Sequence, residues 1–216
     1  MNTSVGNTGR LLWAGLRALL VLTVVCGVLY PLAVTGVAQA VFPDKADGSE
    51  VRSGGRTVGS SLIGQSYTTK DGKPDLKWFQ GRPQNGLGTN SVNTRYKLIL
   101  SGATNLAGDN PELVAQVKKA RAAVVADNST PTYKVDPADI PADAVTSSGS
   151  GLDPAISPAY ADLQVHRVAE RNHLPVDRVR RLVDAHTDGR ALGFIGEPTV
   201  NVLELNVALQ QLTRNS

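Results

Sequence analysis

Chemistry in a chain like this would have to come from His166, His173, His186, Ser150, Asp153 and a lone Cys26. Ser150, His186 and Asp153 are the first place to look for a Ser-His-Asp hydrolase, yet no spacing ties them together. His166 and His173 stand seven apart, but Asn172-His173 and the nearby Pro175 predict a break between them, so no metal site is expected. One cysteine excludes both an intramolecular disulfide and a cysteine-based metal centre. Motifs that would announce a reaction are absent: there is no GxxxxGK[ST] phosphate loop, no GxSxG, no SxxK and no HExxH. No catalytic residue is therefore assigned, and an enzyme acting by itself is poorly supported.

The element that organises the rest is Ala18–Phe42, 25 residues without one Asp, Glu, Lys, Arg or His. At about 1.5 Å per helical residue it spans a hydrocarbon core roughly 30 Å thick. It reads as a single membrane helix within an anchor over 11–42. Pro31 predicts a kink, with Thr35 one turn on. Gly36 and Ala40, like Ala14 and Ala18, have the small-xxx-small spacing that admits a neighbouring helix. Arg10 and Arg17 precede the run with no acid, whereas a mixed set follows it, so the N-terminus is expected in the cytoplasm and the remainder outside. Ala38-Gln39-Ala40 leaves a cleaved signal peptide open as the rival reading, although a signal's apolar region is shorter.

Beyond the anchor, 20 Lys and Arg face 19 Asp and Glu, a net charge of +1. No basic block is dense enough for nucleic acid, since Arg178, Arg180 and Arg181 fit a solvated helix face. Residues 1–10 read as a disordered cytoplasmic tail, 43–56 as a flexible stalk and 57–216 as the outer domain. Ser60–Gln65 and Lys77–Gln80 suit short strands or irregular buried segments, and Arg95–Leu100 a strand or helical turn. Asn110, Pro111 and Glu112 start a helix running to Ala126. Asp127–Ser157, rich in Pro and Asp, reads as a linker, the rival being an ordered wrap. Ser157-Pro158 opens a helix to Arg171, another covers about Val176–His186, and Leu192–Ile195 suggests a short strand. Asn201 with Glu204 caps a last helix whose apolar face is Val202, Leu205, Leu209 and Leu212. The fold class is one N-terminal transmembrane helix plus one extracytoplasmic α+β domain, helix-rich in its C-terminal half.

An ordered set of motifs then adds a resemblance. GSSLIGQ (Gly59–Gln65), FQGRP (Phe79–Pro83), SGATNLAGDNP (Ser101–Pro111), SGSGLDPAISP (Ser148–Pro158), HTDGR (His186–Arg190) and GFIGEPTVNVLELNVAL (Gly193–Leu209) follow an anchor ending LYPLAVTGVAQAVFP. Together they resemble the C subunit of the Kdp potassium-transporting ATPase, from about Val21 to the end. The resemblance implies a bacterial plasma-membrane complex with a channel-like potassium-translocating subunit, a P-type ATPase subunit and a very small single-helix subunit. It implies a retained, single-pass anchor and an accessory role, in keeping with the missing DKTGT motif. ATP, Mg2+ and K+ would be used by the complex, with no cofactor or metal in this chain. The family is linked to ATP binding, and Leu100-Ser101-Gly102 is loosely similar to an ABC signature. The charge asymmetry, however, puts Ser101 outside, away from cytoplasmic ATP.

On these motifs the interface or lid candidates are Gln65, Arg82, Pro83, Ser101, Gly102, Asn105, Ser150, Gly151, Asp153, Arg190, Glu197 and Asn201. Pro31, Gly36 and Ala40 are the candidates for membrane-helix packing. Asp136, Asp139, Asp143 and Asp153 would raise local potassium if they sat within a Debye length of its entrance. The chain departs from the family pattern at Gln84, Ala103, His166, Asp188 and Ala155, the last standing where a His often follows Asp-Pro.

Overall fold

A computed structural model describes residues 3–89 and 99–214. The chain divides into two compact units, Met1–Glu50 and Val51–Ser216.

In the first unit, α1 (Thr3–Val24) runs through a widened π turn, Val25–Leu29, into α2 (Tyr30–Val41). Gly6–Val41 forms one rod of 36 residues whose most apolar 18-residue stretch has mean hydropathy 2.3 and is not buried. It is long and apolar enough to cross a membrane, as the uncharged run predicts. The rod begins earlier than expected: the stretch read as a disordered tail is helical from Thr3 onward, despite Gly6 and Gly9 within it. The disturbance expected at Pro31 takes the form of the π turn just before it. Proline removes one donor and crowds the carbonyl four residues back, here that of Gly27, and a wide turn relieves both. Pro31, Gly36 and Ala40 lie on α2, and Gly36 faces open space.

The segment read as a flexible stalk is ordered instead. A short helix α3 (Pro43–Ala46) is followed by β1 (Glu50–Ser53) and β2 (Arg56–Ser60), which pair. Gly54 and Gly55 make the turn at φ +59° and +77°, a conformation glycine reaches without a Cβ clash. After β2 the chain to Gly81 is irregular, but it buries Phe79 completely. Then β3 (Gly88–Thr89) pairs antiparallel with β4 (Ile99–Leu100). Arg95 and its neighbours before Ile99 lie outside the described residues.

α4 (Pro111–Asn128) starts where expected: the Asn110 side chain accepts from the Glu112 amide at 2.8 Å. The supposed linker is a structural wrap. It carries two 3-10 turns, Pro137–Asp139 and Ala142–Ala144, and buries Val135, Ile140, Ala144 and Val145 in the core. Proline density misled the linker reading because these apolar residues follow no helical or strand period. β5 (Ala155–Ile156) then leads into α5 (Pro158–Arg171), where Ser157 Oγ accepts from the Tyr160 amide at 3.1 Å. α6 (Val176–Ala185), β6 (Thr187–Asp188), β7 (Thr199–Asn201) and α7 (Val202–Arg214) complete the chain.

The strands form an antiparallel sheet in the order β5-β7-β6, with Ile156 opposite Val200 and Val200 opposite Thr187. α5 is buried on most of its circumference, from Tyr160 to Ala169, and packs against α4 and α6. Val179 and Val183 of α6 and Leu205 and Leu209 of α7 close the core. Leu192–Ile195, read as a short strand, is a tight turn whose large side chains are exposed.

Candidate functional site

The residues singled out as interface or lid candidates come from distant parts of the sequence, and the wrap brings many of them together. Gln65, Arg82, Pro83, Gly151 and Asp153 line one cleft of about 180 Å³, alongside Gly64, Gln80, Gln84 and Val202. Arg82 is its fastening. Nη1 donates to Asp153 Oδ2 at 3.1 Å, Nη2 to the Ser147 carbonyl at 3.2 Å and Nε to the Thr146 carbonyl at 3.3 Å. The other carboxylate oxygen of Asp153 accepts from the Ala155 amide at 3.0 Å. A single guanidinium thus holds the loop that precedes β5, with one bond to a carboxylate and two to backbone carbonyls, in a half-buried setting where charge-assisted bonds outperform an exposed ion pair.

Backbone bonds seal the rim. Gly64 donates to the Leu152 carbonyl at 2.8 Å, and Gly102 donates to that of Ser150 at 3.0 Å. Ser101 Oγ donates to the same Ser150 carbonyl at 2.9 Å. Gly151 turns at φ +67°, and a Cβ there would lie 2.6 Å from Leu87, which explains its glycine. Asn201 ties in the start of α7: its Nδ2 donates to the Ser61 carbonyl, while its Oδ1 accepts from the Leu203 and Glu204 amides. Gln65 Nε2 reaches back to the Val58 carbonyl, and Ser66 Oγ bonds Gln84 Oε1.

Seven candidates do not line the cleft: Ser101, Gly102, Ser150 and Asn201 make the rim bonds just described, while Arg190, Glu197 and Asn105 take no part in them. Arg190 and Glu197 pair with each other at 3.0 Å within the β6–β7 connection. Asn105 is exposed at φ +53° and donates only to its neighbour Ala103.

The hydrolase constellation is not assembled. Asp153 is engaged by Arg82, His186 Nδ1 lies 2.8 Å from the Leu182 carbonyl of its own helix, and Ser150 Oγ serves the Leu152 amide. Nor is Asp143 a free charge for cations, since it accepts from both the amide and the hydroxyl of Ser157; Asp136 accepts from the Ala138 amide. The arrangement can lock loops and present a shaped polar surface.

Sequence reading missed a buried polar seam behind the cleft. Gln164 Oε1 accepts from the Gln80 amide at 2.7 Å, and Asn206 both accepts from and donates to the Phe79 backbone at 2.9 Å. Arg167 completes it from the middle of α5. The available signal was a polar side chain on a helix whose every other turn is apolar. It was passed over because such residues usually face solvent.

His166 stacks on Tyr133 with ring centroids 4.1 Å apart. Partial burial, and then the Arg180 charge, push its pKa below the usual imidazole value. In the unfolded chain it titrates near 6.5. The unfolded state therefore binds more protons as pH falls through that value, and this group's stabilising contribution, present above it, is lost. Asp162 and Asp184 face the same group of charges, and the Asp162 carboxyl is raised by burial and then by Asp184, with Arg180 opposing. We expect the melting temperature to fall slightly from pH 7 to pH 5.5, with a shallower slope in His166→Gln. Equal slopes in the two proteins would reject this assignment.

Comparison with known proteins agrees with this subunit-like architecture. A family model described as K+-transporting ATPase, c chain, matches residues 12–211. The chain is 71% identical to the potassium-transporting ATPase KdpC subunit of Streptomyces avermitilis, over 100% of both chains. It is 68% identical to that of Streptomyces coelicolor, over 98% of this chain and 97% of the other. To the KdpC subunit of Mycobacterium tuberculosis it is 43% identical, over 94% and 99%. A helical anchor candidate, a domain built of locked loops and a match along almost the whole length lead to one conclusion: the chain belongs to the KdpC family, the c chain of the K+-transporting ATPase.

Proposed function

We propose that this chain is the non-catalytic subunit of an ATP-driven, high-affinity potassium importer, and that it assembles with and stabilises the channel-like and P-type ATPase subunits. The observation that carries this is the family match over residues 12–211 joined to a long apolar rod whose most apolar stretch is not buried. Such a rod needs lipid or other helices around it. Arg10 and Arg17 before the apolar run support a cytoplasmic N-terminus, with the second unit outside the bacterial plasma membrane near the potassium entrance. A very small single-helix subunit completes the assembly. ATP, Mg2+ and K+ belong to the chemistry of the other subunits, and this chain holds none of them.

The test is removal. Complexes purified from membranes lacking this chain should lose subunits during solubilisation, and cells should fail to import potassium at low external concentration. Unchanged stability and uptake would refute the proposal. Protease added to intact spheroplasts should cut the second unit, whereas protease added to the outside of sealed inverted vesicles should leave it untouched.

A further inference from the structure

The connection between β6 and β7 is a small tongue with a built tip. Ala191 and Ile195 exchange backbone hydrogen bonds at 2.9 Å in both directions, and Gly193 donates to the Arg190 carbonyl at 3.0 Å. Leu192 sits at φ +53° and Gly193 at +81°. A leucine is rarely held left-handed, and backbone strain of this kind concentrates where a segment has a task. The tip displays three large apolar side chains: Leu192 is 83% exposed, Phe194 72% and Ile195 52%. At its base Arg190 closes on Glu197 at 3.0 Å.

We propose that this tongue is a knob received by an uncharged, apolar groove on the outer surface of a membrane-embedded partner subunit of the same ATPase. The inference rests on reading the chain as a subunit, and it names the residues through which the domain is held. Charge decides between a protein groove and a lipid surface. Loops that enter membranes couple an apolar tip to free Lys or Arg for the headgroups. Here the one cation is paired with Glu197, and Asp188 stands exposed beside it, so the tip carries nothing to draw it to anionic lipid. A neutral groove matches a neutral knob, and a few buried aromatic or aliphatic anchors carry most of the binding at such contacts. Only Phe42–Glu50 joins the apolar rod to the second unit, nine residues that reach about 30 Å at most and less with α3 formed. A partner that packs beside the rod is thereby held at high effective concentration, so a knob of three side chains suffices once charge has disfavoured lipid.

The test uses the full chain in the assembled complex. Leu192→Ser, Phe194→Ser and Ile195→Ser together should cut recovery of the other subunits roughly tenfold after detergent solubilisation, with no change in the chain's own melting temperature. In a second arm, Cys26→Ser with Phe194→Cys carries a polarity-sensitive dye. Its emission should shift to the blue, and resist iodide quenching, in the complex. It should stay exposed when the chain alone is placed in phosphatidylcholine–phosphatidylglycerol vesicles. Wild-type recovery by the triple variant, or a dye open to iodide in the complex, overturns the knob. Shielding in vesicles without partners overturns it in favour of lipid. If the unaltered chain recovers no other subunit, the subunit reading itself fails; if it recovers them and the triple variant does equally well, only the knob fails. The dye arm decides should the triple variant lose its fold.

Discussion

Replacing Arg167 by methionine should lower the stability of the folded domain by about 2–6 kcal/mol, measured by denaturant unfolding of the full chain in detergent. Arg167 is 2% exposed, on the helix at the centre of the core. Burial drives its pKa down to about 10, so it stays charged at neutral pH. No carboxylate forms an ion pair with it among the described residues; its acceptors are neutral. Nε donates to Asn128 Oδ1 at 2.8 Å, Nη1 to the Leu76 and Trp78 carbonyls, and Nη2 to Gln164 Oε1 at 2.7 Å. Not all of these lose everything in the variant. Gln164 Oε1 keeps the Gln80 amide, and the Trp78 carbonyl keeps a long bond from Gln80 Nε2. Asn128 Oδ1 and the Leu76 carbonyl are left unserved, at about 1–3 kcal/mol each. Relief from burying a charge offsets part of this, so the net loss falls toward the lower end of that range. Against a total of about 5–15 kcal/mol for a typical domain, the loss is severe. Lysine should recover only part of it, because one ammonium cannot reach acceptors on three separate segments. A variant as stable as wild type would show that the seam is filled rather than held by this side chain.

The same residue marks the border of what the chain discloses before its structure is seen. Helix starts were legible because their signals are local: Asn110-Pro111, Ser157-Pro158 and Asn201 with Glu204 each cap within three residues, and each side chain makes the expected bond. The apolar rod was legible from length alone. What stayed hidden depends on partners far away in sequence. Arg167 looks like a solvated helix position until the Leu76–Trp78 segment, some ninety residues earlier, is laid across it. Asp127–Ser157 looks like a linker because its buried residues obey no period. Its order comes from capping by Asp136, from Asp143 accepting the amide and hydroxyl of Ser157, and from Val135, Ile140 and Val145 reaching the core.

The candidate cleft divides along the same line. Gln65, Arg82, Gly151 and Asp153 were picked out by resemblance, and nothing in their spacing says that they meet. Conversely, Leu192–Ile195 was read as a strand because its residues are apolar. Whether an apolar run is buried depends on what packs over it, and here nothing in the described chain does.

Glycines illustrate this dependence most sharply, and they set the second large expectation. Gly64→Ala should destabilise the domain by about 1–3 kcal/mol and undo the cleft, whereas Gly149→Ala should change stability by no more than about 0.5 kcal/mol. Both glycines lie in irregular chain bordering the same site, and neither has a positive φ. A Cβ on Gly149 would meet nothing within 4 Å; on Gly64 it would stand 2.4 Å from the Asp153 carbonyl oxygen and 3.0 Å from its carbon. Those are backbone atoms that cannot rotate away. Either the Ser60–Gln65 loop lifts, losing the 2.8 Å bond from Gly64 to Leu152, or Asp153 moves and its carboxylate leaves Arg82. A double-mutant cycle on Arg82 and Asp153 distinguishes these outcomes. If Asp153 moves, the coupling between the two residues vanishes in the Gly64→Ala background; if the loop lifts, the coupling survives while stability still falls. Equal melting temperatures for the Gly64 and Gly149 variants would show that the loop is not pressed against Asp153, and the cleft would then have no fixed floor.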